Sequence, residues 1–207
     1  MDIKAFFKLS YGLYIVSSSY KSNQSGCVVN TLSQVTADPP KFSVTISKNS
    51  FTKKIIEKSG YFTATVLTKK ATMDLIGEFG FKSSESTDKF LKFNTKLDEN
   101  NIKYVTNHMA SRYSFKVIDS LDLETHIMFI GKVLEAEILN NDDVMTYSYY
   151  HNVIKGSTPK NAPSYQKEPA KKGYICTVCG YFLDSDKIPD DFICPICKQG
   201  TDKFKKI

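Results

Sequence analysis

The chain has 207 residues, 41% of them hydrophobic, and a formal net charge of +6. That suffices for a soluble core and for one large domain with one small one, and no run approaches the ~18 apolar residues of a membrane span. Lysine supplies nearly all the positive charge and Arg112 is the only arginine. This argues against a nucleic-acid reader, because bidentate base and phosphate contacts lean on arginine.

In chain order, the start Met-Asp-Ile-Lys-Ala-Phe-Phe lacks a signal-peptide hydrophobic region, so a cytoplasmic location is expected. Residues 13–16, 26–32, 41–46 and 61–67 read as strands from their β-branched and aromatic content. Cys27 lies among apolar neighbours and reads as a small buried hydrophobe rather than a reactive thiol. Residues 51–59, closed by Gly60, read as a helix with a glycine stop, and 72–79, before Gly80, as another. Residues 113–118 and 126–134 read as long antiparallel strands. Many strands with few intervening helices favour a mostly β (α+β) barrel over a doubly wound sheet. The Tyr147-Ser-Tyr-Tyr150 cluster could pack over a bound cofactor or form dimer core, and core is the better reading. His108 and His151 read as ordinary surface or loop residues.

Residues 156–173 hold three of the seven prolines and lack hydrophobic periodicity. The expected division is a first domain at 1–155, a partly extended linker at 156–172 and a second domain at 173–207.

Neither Gly-x-Gly-x-x-Gly nor a Walker loop occurs. Ser47-Lys-Asn-Ser50, however, follows a strand and runs into a helix containing Thr52. A helix N-terminus offers unpaired N–H groups and partial positive charge, so hydroxyls and a lysine there could complete an anion site. On residue types alone, simple capping by Asn49 or Ser50 is the better reading.

The strongest motif is the pair Cys176-Thr-Val-Cys179-Gly-Tyr and Cys194-Pro-Ile-Cys197. Four thiolates at this spacing suit one tetrahedral ion, zinc or a single iron, and bound thiolates fit a reducing compartment. Gly180 allows a tight turn over a sulfur, and Pro195 stiffens the second knuckle. Tyr174, Tyr181, Phe182, Ile188, Phe192 and Phe204 provide an apolar shell. Acidic and basic residues are mixed here, unlike most nucleic-acid zinc ribbons.

This segment resembles rubredoxin, in the short-spacer form found fused to other domains, with Lys198 where a second glycine usually stands. The resemblance implies one iron, held by Cys176, Cys179, Cys194 and Cys197. The runs Asn30-Thr-Leu-Ser-Gln-Val-Thr36, Asp38-Pro-Pro40, Ser47-Lys-Asn-Ser-Phe-Thr52 and 79–90 resemble the flavin reductase family. That resemblance covers most of residues 5–155 and implies an FMN-binding split β-barrel that forms homodimers. It implies Asn30, Thr31, Ser33 and Gln34 against the flavin ring or ribityl chain. Ser47, Lys48, Asn49, Ser50 and Thr52 would surround the phosphate, with Phe81, Ser83 and Lys89 near the cofactor edge. His126 would be a proton donor near the flavin, or a hydrogen-bonded structural histidine. The combination resembles the high-molecular-weight rubredoxins. It implies electron flow from NADH or NADPH through FMN to iron, and on to a flavodiiron-type oxygen or nitric oxide reductase. The alternatives are a relay without direct NADH oxidation, and an FMN-binding protein with a structural zinc ribbon as a binding module.

Overall fold

The computed structural model describes residues 2–154, 156–159, 162–165 and 173–207. After a short 3-10 helix, Ile3–Lys8, come β1 (Tyr14–Tyr20), β2 (Asn23–Val29), β3 (Ser33–Ala37) and β4 (Pro40–Ser47). Then follow α1 (Phe51–Ser59), β5 (Tyr61–Leu67), α2 (Met73–Phe81), β6 (Thr95–Leu97) and β7 (Lys103–Val105). The long strands β8 (Met109–Leu123) and β9 (His126–Ile138) lead to α3 (Tyr147–Asn152). Seven strands form one antiparallel sheet in the order β2-β1-β5-β8-β9-β4-β3. The chain is mostly β, as its strand-rich pattern implies.

The sheet wraps round its own core. Val16 of β1 and Val44 and Ile46 of β4, four places apart in the strand order, share a cluster with Ile56, Phe62, Phe115 and Phe129. Irregular register in β8, between Ser114 and Phe115 and between Val117 and Asp119, supplies the local bends that such curvature needs. Phe62 stacks on Phe115 at 4.6 Å between ring centroids. Opposite them Gly131 leaves no room: a Cβ there would lie 2.9 Å from the Phe115 Cβ and the Phe62 ring. Gly131→Val is therefore expected to destabilise the barrel by roughly 1–3 kcal/mol through overpacking, as a lower denaturation midpoint at unchanged m-value.

The Gly60 stop is as expected: its φ is 74°, and its N–H donates to the Ile56 carbonyl at 2.8 Å. Helix α2 departs from expectation by running through Gly80 to Phe81. Thr72 Oγ1 accepts from the Leu75 N–H, and Leu75, Ile76 and Phe79 are buried in a second core cluster with Phe90, Met109, Met145 and Tyr150. That burial outweighs the two helix-interior glycines, Gly77 and Gly80, each about 1 kcal/mol worse than alanine. Strand β3 escapes sequence reading because all five residues are exposed, so no apolar alternation marks this edge. Helix α3, six residues long, is too short to show a period.

The C-terminal unit is a three-stranded sheet of β10 (Tyr174–Cys176), β11 (Phe182–Leu183) and β12 (Phe204–Lys206), in the order β11-β10-β12. Of the expected linker, residues 156–159 and 162–165 are described, and the rest of 156–172 lies outside the described residues. Among the described residues no helix is long and apolar enough to cross a membrane.

Candidate cofactor pocket and metal centre

A cavity of about 290 Å³ opens between β2, β4, the start of α1, the end of α2 and α3. Its apolar lining includes Val28, Ile46, Ile76, Phe79, Phe81, Tyr147 and Tyr150. Its polar lining includes Ser47, Asn49, Ser50, Thr52 and Lys89. Aromatic side chains beside a helix start, hydroxyls and a lysine suit a planar aromatic group carrying an anionic tail.

The polar lining grows out of local chain geometry. Ser50 occupies the N-cap position of α1 with extended backbone (φ −74°, ψ 130°), but its side chain makes no capping bond. The capping reading thus gives way to an open helix start, whose first-turn N–H groups and dipole face the cavity. Thr52 Oγ1 lies 2.8 Å from Ser25 Oγ, and both the Ser50 and Thr52 hydroxyls bear on the Cys27 thiol. Burial pushes that thiol up, against the pull of Lys89 and the two hydroxyls; Cys27 is half-buried rather than fully enclosed, and it lines the cavity.

Lys89 is the buried cation of the cavity, 2% exposed. Its ammonium donates to the Gly26 carbonyl at 2.9 Å and the Phe79 carbonyl at 3.2 Å. Burial pushes it down to about 8; Cys27 and Glu78 pull it up, and Lys82 adds to the depression.

Of the residues expected at the cofactor, the structure brings Asn30, Ser47, Asn49, Ser50, Thr52, Phe81, Ser83 and Lys89 together around this cavity. Five others stand elsewhere. Thr31 donates its hydroxyl to the Thr45 carbonyl at 2.7 Å, tying the loop before β3 to β4. Ser33 and Gln34 line a separate depression with Tyr14, Phe42 and Tyr113. Lys48 is bridged to Asp122 at 2.6 Å. His126 pairs with Ser47 across β4 and β9, and its Nδ1 lies 2.8 Å from Thr125 Oγ1.

Of the two readings of the tyrosine cluster, Tyr150 meets both, as buried core and as cavity lining. Sequence reading misses another part of the lining. Pro159, Ala162 and Pro163, read as linker, also line the cavity. They are held there by side chains: Asn30 donates to Ser164 Oγ at 2.9 Å, Ser164 donates to the Tyr147 hydroxyl at 3.0 Å, and Tyr147 also meets Thr158 Oγ1 at 2.5 Å. The prolines signal an extended path, but only the fold shows where the path runs.

The four cysteines converge as their spacing implies. Their Sγ atoms all lie within 4.8 Å of one another. Cys176 and Cys197 are 3.5 Å apart, as are Cys179 and Cys194. A tetrahedron with metal–sulfur bonds of ~2.3 Å has sulfur–sulfur edges of roughly 3.8 Å, so the donor set fits one ion. The two knuckles are alike. The Gly180 N–H donates to Cys176 O at 2.9 Å, and the Lys198 N–H to Cys194 O at 3.0 Å. Both residues are left-handed, with φ of 78° and 58°. Burial pushes the Cys179 and Cys197 thiols up, Cys197 to about 11. Burial also presses on Cys176, but the N–H groups of Cys179 and Val178 outweigh it and hold that thiol below its ordinary value. Four adjoining thiolates need a cation among them, so metal uptake here releases protons. Tyr181 and Phe204 pack on the cysteines from within the unit, and Met73 and Phe81 of α2 from outside it.

Residues 6–157 match the flavin reductase like domain family, and the chain belongs to it. Residues 174–205 match the rubrerythrin, rubredoxin-like domain. A high molecular weight rubredoxin of Moorella thermoacetica is 37% identical over 229 aligned positions covering 100% of both chains. A ferric-chelate reductase (NAD(P)H) of Archaeoglobus fulgidus is 37% identical over 165 positions, 80% of this chain and 98% of that one. Among solved structures, a flavoredoxin of Methanosarcina acetivorans superimposes with a TM-score of 0.57 at 19% identity, over 62% of this chain and 69% of that one; at that identity the likeness speaks for the fold alone. The chain is a flavin reductase-like oxidoreductase fused to a rubredoxin-like metal domain.

Proposed function

We propose that this chain is a two-cofactor electron carrier, taking a hydride from NADH or NADPH at FMN and delivering single electrons through one iron. The carrying observation is a cavity lined by aromatic side chains and, at the start of α1, by hydroxyls, in the same chain as four cysteine sulfurs within 4.8 Å of one another. Bound flavin supplies the conversion between a two-electron hydride and single electrons. Phe81, Tyr147 and Tyr150 would flank a bound flavin ring, the open start of α1 with Ser47, Asn49, Ser50, Thr52 and Lys89 would hold its phosphate, and Pro159 and Pro163 would keep water from the ring; all of these line the cavity. Lys48 is paired with Asp122 and would have to leave it to reach that phosphate; His126, at the start of β9, would be the proton donor.

The ferric-chelate reductase (NAD(P)H) relative supports the nicotinamide donor, and the full-length high molecular weight rubredoxin relative supports iron. Cys176, Cys179, Cys194 and Cys197 would hold the iron, which when bound would supply one-electron chemistry. The acceptor fits a flavodiiron-type oxygen or nitric oxide reductase, and the working unit is a homodimer.

The test is anaerobic mixing with NADH or NADPH while visible absorption and metal content are followed. The expected result is a coloured protein with one flavin and one iron per chain, in which flavin and then iron absorption bleach. A colourless protein holding one zinc and inert to dithionite would overturn the electron-carrier reading. Bleaching by dithionite but not by millimolar nicotinamide would leave a relay reduced by another protein.

A further inference from the structure

Two residues of this chain are locally unfavourable where they stand, and they meet at one place. Gly77 sits in the interior of α2, where it costs helix stability. Lys198 holds a left-handed φ of 58° at the knuckle position matched by Gly180 in the other pair, a conformation that suits glycine and strains lysine. A Cβ on Gly77 would lie 2.8 Å from the carbonyl oxygen of Ile196. The second knuckle therefore rests directly on the helix backbone. One residue beyond the last cysteine, the Lys198 ammonium reaches Asp74 in the first turn of α2 at 3.6 Å.

Other contacts close the same face. Ile196 is buried, and Met73 and Phe81 of α2 pack on the cysteine cluster. On the far side, the Tyr150 hydroxyl donates to the Ser157 carbonyl at 3.0 Å, and the Ser157 hydroxyl donates to the Cys179 carbonyl at 3.0 Å. Phe81 and Tyr150 also line the cavity. From these contacts we infer that α2 is a docking surface for the metal domain of its own chain, shaped by Gly77 and Lys198. Docked there, the thiolate cluster and the cavity share Phe81 as a common wall. A free tether would need neither a glycine on this helix nor a lysine at that knuckle. Their departure from local preference is explained by the interface they complete. This inference rests on the electron-carrier reading for its purpose, but not for its geometry.

The test uses the full-length protein carrying flavin, with zinc in the four-cysteine site so that nearby NMR signals stay sharp. Amide ¹⁵N relaxation should give residues 174–207 the same tumbling time as the barrel. Gly77→Leu keeps a good helix former in α2 but intrudes on Ile196, and should lower the docked-to-undocked ratio by about 5- to 150-fold, giving residues 174–207 a shorter tumbling time while the barrel spectrum is retained. Lys198→Glu should shift docking the same way, by about 1.4- to 5-fold for an exposed pair, and Asp74→Lys should restore it. In the iron form, photoreduced flavin should bleach the iron at a rate independent of protein concentration in the parent, and more slowly in Gly77→Leu. Independent tumbling of the parent's metal domain, or coupled tumbling in both Gly77→Leu and Lys198→Glu, would overturn the docking surface. Coupled tumbling with no electron transfer from flavin to iron would leave the docking in place and remove the electron-carrier reading instead.

Discussion

Cys179→Ser is expected to abolish the iron centre and to unfold residues 174–207, while the barrel and its cavity remain. The reason is the composition of the small unit's interior: its buried cluster consists of the four cysteines and Ile196. So short a chain buries little apolar surface, and metal binding substitutes for the missing core. For structural zinc in short peptides the apparent binding free energy is about 10–16 kcal/mol, and it acts as folding free energy. A serine oxygen is a poor replacement for a thiolate toward iron, and the loss falls on the whole unit. Metal analysis should show less than one iron per chain. Amide signals of β10, β11 and β12 should collapse to unfolded positions while those of β8 and β9 hold. Because burial raises Cys179 and Cys197, the parent should also lose metal as pH falls. A Cys179→Ser protein with one tight iron and an unaltered spectrum would sink the four-ligand assignment.

The second large effect belongs to Lys89. Lys89→Met is expected to weaken FMN by about 1.5–3 kcal/mol, roughly 10- to 150-fold, through loss of a charge-assisted phosphate contact. Fluorescence titration measures it, with Lys48→Ala as the comparison arm; a larger loss in Lys48→Ala would transfer the phosphate's cation to Lys48. In the parent, FMN affinity should fall as pH rises through about 8, where free Lys89 gives up its proton, and the variant should lack that step. Stability runs the other way. Between about 8 and 10.5 the unfolded chain holds a proton on this lysine that the folded chain does not. Stability therefore rises with pH across that window, by on the order of 3 kcal/mol in all. Above 10 burial holds the Tyr150 phenol protonated while the unfolded phenol ionises, and stability falls again.

What could be read without coordinates tracks how local each cause is. The thiolate set was legible because two Cys-x-x-Cys knuckles close by short-range turns, with Gly180 marking one of them. The stop at Gly60 and the strand β5 were legible for the same reason. The polar lining was half legible: Ser47, Asn49, Ser50 and Thr52 are near neighbours in the chain, yet only the structure shows that Ser50 makes no capping bond. Thr31, Ser33 and Gln34 were placed by resemblance; the chain turns at Thr31 and carries the other two to an exposed edge.

By itself the sequence determined a mostly β domain and a four-sulfur centre, since each follows from spacing, period or turn chemistry close along the chain. Only the tertiary structure decided that Lys89 is the cavity's buried cation, that the prolines after α3 form a wall, and that the metal unit rests on α2 at Gly77. Those depend on steric fit and burial between segments far apart in the chain, and no short-range pattern carries that information.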